Sequence, residues 1–163
     1  MTAMSRSALV TGFAPFRHHA VNSSWEGVRR LEGVTAACLP VDHAAAAAEI
    51  AALIRRHRPD TVLLTGLAEG AGPRLERLAR RPAGVPGPAL RHGRWPFARA
   101  LARMGHARLS ADAGRYVCET TYWAALGVPG PSRVAFLHVP PLGEVWTARR
   151  IARVMRACLD AAG

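Results

Sequence analysis

Pro59-Asp60-Thr61-Val62-Leu63-Leu64-Thr65-Gly66-Leu67-Ala68-Glu69-Gly70-Ala71-Gly72 decides the fold class. Thr61 to Thr65 is a short, β-rich apolar run that starts behind a proline and stops at a glycine. Such a run suits a strand buried on both faces. The glycine-rich segment behind it stands at the carboxyl end of that strand, where α/β proteins usually place their ligand loops.

Working outward, short apolar runs alternate with longer amphipathic ones. Upstream, Ala8 to Thr11 ends at Gly12, and Ser23-Ser24-Trp25-Glu26 has the Ser-x-x-Glu spacing of a capping box, predicting a short helix to about Leu31. Val34 to Leu39 predicts a second strand, and Asp42 a cap for a helix running to about His57. Downstream, Leu75 to Leu78 fits either an extended segment or a helical turn, and extended is preferred. Pro82 to Pro96 contains four prolines and is expected to be an irregular surface loop. Pro96 then opens a helix ending near Met104-Gly105. Ala107 to Ser110 predicts a short strand, Asp112 a cap for a helix to Leu126-Gly127, and Arg133 to Val139 the last buried strand. A final amphipathic helix runs from about Val145 to Ala161. The expected fold is α/β, with residues 1–163 forming a single domain around a mostly parallel twisted sheet with helices on both faces.

The net charge of +11 arises from 22 basic and 11 acidic residues. Every basic residue is arginine, and runs such as Ala44 to Ala48 accompany them, which points to a coding bias. The arginines are dispersed and not interleaved with aromatic residues that would stack on bases, so no nucleic acid is expected as a partner. Three cysteines without CxxC spacing suggest neither a disulfide framework nor a zinc site, and a reducing cytoplasm fits. The N-terminal apolar run is too short for a signal-peptide core, and no stretch reaches the ~18 apolar residues of a membrane span.

Most candidate reactive residues have plain explanations. Cys38 in a strand and Cys158 on an apolar helix face behave as small hydrophobes. His18, His19, His43, His57, His92 and His106 fall in loops or near helix ends, and no pair has convincing metal-ligand spacing. Cys118 differs, because it lies at or near a helix start, where free amides favour a thiolate and lower its pKa. His138 ends the following strand, and Glu76 follows the glycine-rich loop on the same expected rim, where a carboxylate can fix an imidazole tautomer. On chemistry alone these three residues do not single out an activity.

The motifs are more specific. Val10-Thr11-Gly12-Phe13-Ala14-Pro15-Phe16 followed by Asn22-Ser23-Ser24-Trp25-Glu26 resembles the opening of the pyroglutamyl peptidase I (pyrrolidone-carboxylate peptidase) family. Leu39-Pro40-Val41, Gly66 to Gly70, Glu76-Arg77-Leu78-Ala79, Ser110 to Cys118 and His138-Val139-Pro140 are similar to that family's successive motifs, in order. The resemblance implies Cys118 as nucleophile, His138 as general base and Glu76 as the third member of a triad. It implies Phe13, Phe16, Tyr116 and Val117 as the pocket for a pyrrolidone ring, with no metal and no cofactor. The implied substrate is a peptide or small amide bearing an N-terminal pyroglutamyl group, and a homo-oligomer is left open. The chain departs from the pattern at Ala14, Ser23, Tyr116 and Glu119, and through a shortened, rewritten segment from Arg80 to Phe97. Two other functions therefore stand beside the peptidase: a thiol hydrolase of another acyl or lactam substrate, and a non-catalytic binding protein.

Overall fold

A computed structural model describes residues 7–163; residues 1–6 of the N-terminal stretch in which no export signal was expected lie outside the described residues, and its apolar run forms the first strand. The core is a six-stranded sheet, β1 (Ala8–Phe13), β2 (Thr35–Leu39), β3 (Thr61–Leu67), β4 (Arg74–Glu76), β7 (Arg108–Ser110) and β8 (Arg133–Val139), in the order β2-β1-β3-β8-β4-β7. Strands β2, β1, β3 and β8 are parallel, β4 runs antiparallel to β8, and β7 is parallel to β4. The sheet is thus mostly parallel, as expected.

Side-chain alternation splits the core into two layers. Val10, Leu63, Leu75 and Leu137 face α1 (Ser23–Val28), α3 (Phe97–Met104) and α5 (Ala148–Ala162). Leu9, Val62, Leu64 and Phe136 face α2 (His43–His57) and α4 (Val117–Leu126). Because successive strand residues point to opposite faces, β3 must be apolar at nearly every position to satisfy both layers, and all seven of its residues are buried.

Several local expectations are corrected. The helix α1 is capped by Asn22, whose side chain accepts from the Ser24 amide; Glu26 turns outward to pair with Arg29 and Arg30, so no capping box forms. The final helix is capped by Thr147, which begins it three residues later than expected. The Pro82 to Pro96 segment is not wholly irregular: β6 (Leu90–His92) pairs antiparallel with β5 (Leu78–Arg80), and Arg94 bridges to Val134. Prolines bracket this stretch without entering it, so residues 89–95 keep the amides a ladder requires. The ambiguous Leu75 to Leu78 segment is extended, divided between β4 and β5. Among the described residues, no helix is long and apolar enough to cross a membrane.

Candidate active site

The chain leaves β1 on one side and returns through β3 on the other, and a cleft opens at the carboxyl ends of these strands, where such a reversal leaves space above a parallel sheet. Its volume is about 750 Å³, and its walls include Phe13, Phe16, Tyr116, Val117, Cys118 and His138. The structure therefore brings together six of the seven site residues named from sequence. Glu76 is the seventh and lies behind His138, fully buried.

His138 is the penultimate residue of β8, just before Val139-Pro140, and its ring faces the α4 layer, 4.7 Å centroid to centroid from Phe136. Glu76 reaches it by a route that sequence did not reveal. The strand β4 is antiparallel to β8 and pairs Glu76 with Phe136 and Arg74 with His138, so both β4 side chains project to the face carrying the imidazole. Glu76 Oε1 and His138 Nδ1 are 2.8 Å apart. The backbone of Glu76 is itself fixed, because buried Tyr122 donates its hydroxyl to the Glu76 carbonyl at 2.8 Å. The second carboxylate oxygen, Oε2, is buried without a hydrogen-bond partner.

Cys118 is the second residue of α4. The cap expected from Asp112 is absent: Tyr116 occupies the cap position with no side-chain bond. Asp112 instead accepts from the Gly114 amide and from Arg80, which together hold its carboxyl below the usual range. The amides of Glu119 and Thr120 both point to the Tyr116 carbonyl, at 3.1 and 3.3 Å. The lowered thiol pKa is also corrected. Burial pushes the Cys118 thiol up to about 12; its own backbone amide works in the opposite direction, and the nearby Glu76 charge adds to the rise. Desolvation is the largest of these effects and outweighs the backbone amide at the helix start. Gly66 makes room for it: a Cβ there would lie 2.7 Å from Cys118 Sγ and 2.9 Å from Phe136 Cζ.

The aromatic wall is hung from α1. Ser24 Oγ accepts from the Phe13 amide at 3.0 Å, and Asn22 donates to the Ala14 carbonyl at 3.1 Å while accepting from Ser24. The Asn22-Ser23-Ser24 motif thus acts on the cleft through the backbone of the Phe13 to Phe16 loop. Arg74 was missed from sequence. It lines the cleft and places Nε 3.6 Å from Glu76 Oε1; alternation along Arg74-Leu75-Glu76 was its only signal. His43, expected at the surface, also lines the cleft and shares a hydrogen bond with Thr120 Oγ1 at 2.8 Å.

The rewritten 80–97 segment contributes no residue to the cleft wall. It packs behind α4, where Arg80 donates its backbone amide and Nε to the buried carboxylate of Glu119, both at 2.9 Å. The unusual Glu119 is therefore matched by Arg80.

Comparison with known proteins agrees with this architecture. The sequence pattern of the family described as pyroglutamyl peptidase matches residues 6–84. Pyroglutamyl-peptidase 1 of Rattus norvegicus is 30% identical over 188 residues, covering 95% of this chain and 88% of the rat protein. The crystal structure of pyrrolidone carboxyl peptidase from Thermus thermophilus is 30% identical, with a TM-score of 0.84 over 94% of this chain and 99% of that one. The pyroglutamyl peptidase I structure from Bacillus amyloliquefaciens superposes with a TM-score of 0.89 over 98% and 95% of the two chains at 24% identity, a likeness of fold. Motif order, sheet topology and similarity along nearly the whole length converge, and the chain belongs to the pyroglutamyl peptidase family.

Proposed function

We propose that this protein is a cysteine peptidase that removes N-terminal pyroglutamyl groups from peptides, with Cys118 as nucleophile, His138 as general base and Glu76 as the group that orients and charges the imidazole. One observation carries the reading: a fully buried carboxylate 2.8 Å from an imidazole that shares its cleft with a helix-start thiol. The relatives bear pyroglutamyl peptidase names, and the Phe13, Phe16, Tyr116 and Val117 surface suits a small apolar lactam.

With the thiol held up to about 12, the nucleophile rests protonated. Proton transfer therefore accompanies attack. As Sγ bonds to the pyroglutamyl carbonyl carbon, the Cys118 proton passes to His138, and Glu76 stabilises the imidazolium that forms. The imidazolium then protonates the departing amine as the C–N bond breaks, leaving a thioester. Water, deprotonated by the same imidazole, attacks the thioester; pyroglutamate leaves and the thiol regains its proton. The Cys118 backbone amide, in the first turn of α4, supports the developing oxyanion. Three free cysteines suit a reducing, cytoplasmic setting, and residues 1–163 act as one catalytic domain.

The test is hydrolysis of a pyroglutamyl chromogenic amide beside the matching prolyl amide, under reducing conditions. Release from the pyroglutamyl amide alone, abolished in Cys118→Ala, is expected. Failure of the wild-type protein to turn it over, or turnover surviving Cys118→Ala, overturns the assignment.

A further inference from the structure

We propose that His18, His19 and Glu69 form a divalent transition-metal site at the mouth of the cleft, taking Zn²⁺ through two imidazoles and one carboxylate. Their side chains each offer one ligand atom, and these atoms lie within 4.8 Å of one another. His19 Nε2 and Glu69 Oε1 are already 3.2 Å apart, and the His18 and His19 rings are 4.3 Å apart, centroid to centroid. With zinc bonds of about 2.0–2.2 Å, ligand atoms in a tetrahedral site are separated by roughly 3.3 Å. The His19–Glu69 pair thus has the required spacing. His18 must close a gap of at most about 1.5 Å, which rotation of an exposed side chain supplies.

The loops hold this arrangement for local reasons. The His19 amide donates to the Phe16 carbonyl at 3.1 Å, and Arg17 adopts a left-handed conformation with φ 54°, so the chain turns back and presents both histidines together. Glu69 arrives from the loop after β3, 50 residues on, and all three side chains line the cleft. Two neutral nitrogens with one carboxylate favour a borderline ion such as Zn²⁺ over Ca²⁺ or Mg²⁺, which prefer all-oxygen shells. Three protein ligands leave a fourth position for water. An ion here ties the loop carrying Phe16 to the loop after β3, joining two walls of the entrance. The site stands whatever the cleft hydrolyses.

The test uses metal binding itself, in Cys118→Ala protein under reducing conditions, so that neither turnover nor the cleft thiol enters the readout. Zn²⁺ titration by calorimetry is expected to show one equivalent bound. Co²⁺ is expected to give visible d–d bands without the near-ultraviolet thiolate charge-transfer band. His18→Ala, His19→Ala and Glu69→Gln, each checked for native circular dichroism, should weaken binding by about tenfold or more, since each removes one of three ligands. Any of three results overturns the proposal: no binding at metal concentrations on the order of 1 mM, a thiolate band, or an affinity that the three substitutions leave unchanged.

Discussion

Glu76→Gln isolates the charge of the buried carboxylate while keeping its shape. Glu76 is fully buried and holds His138 Nδ1 at 2.8 Å. As the carboxylate it accepts the Nδ1 proton, which leaves Nε2 free to take the proton of Cys118. Glutamine removes the charge that stabilises the imidazolium, and its amide can donate to Nδ1, which favours the opposite tautomer. At an effective dielectric near 20, unit charges about 4 Å apart attract by roughly 4 kcal/mol. With about 1.4 kcal/mol per factor of ten, that is a loss near 10³ in kcat. Arg74, 3.6 Å from the same oxygen, already offsets part of the carboxylate field. The expected loss is therefore about 10²–10³, with KM little changed because Glu76 does not line the cleft. Steady-state hydrolysis of a pyroglutamyl chromogenic amide measures both constants, and a thermal melt confirms that the variant is folded. A folded variant within about tenfold of wild-type kcat would refute the reasoning, since His138 would then be oriented and charged without help from Glu76.

Two further outcomes follow from the surroundings of Cys118. Because its thiol is pushed up to about 12, the free protein should be alkylated by iodoacetamide at Cys118 about tenfold faster per pH unit and still be accelerating above pH 9; a plateau below about pH 8, read by peptide mass mapping, would mean a resting thiolate–imidazolium pair instead. Gly66→Ala introduces a Cβ 2.7 Å from Cys118 Sγ and 2.9 Å from Phe136. It should cost roughly 1–3 kcal/mol of stability in urea unfolding and reduce hydrolysis by displacing the Cys118 sulfur; an unchanged urea midpoint would show that the layer yields without cost.

The resemblance to pyroglutamyl peptidases rested on contiguous motifs, which a linear sequence shows directly. Strands were legible for a similar reason: Thr61 to Thr65 and Arg133 to Val139 are continuous apolar runs, and their neighbours set hydrophobic periodicity within a few residues. Caps were less legible. Asn22, Ser23, Ser24 and Glu26 all carry groups able to bond a free amide, and the choice of Asn22 depends on Ser24 being drawn to the Phe13 amide of a separate element. The Asp112 cap failed likewise, because Arg80, 32 residues away, holds that carboxylate in a turn.

The sequence by itself determined the α/β class, the order of the main strands and helices and the family, since periodicity and motif order are local properties of the chain; the short strand β6 inside the proline-rich segment was not legible there. Only the tertiary structure decided that β4 enters antiparallel to β8, which carries Glu76 to His138 from a direction that no spacing encodes. It also decided that burial rather than the helix terminus governs the Cys118 thiol, and that His18 and His19 meet Glu69. Desolvation sums over every neighbour and ligand convergence requires loops distant in sequence to meet, so both exist only once the chain has folded.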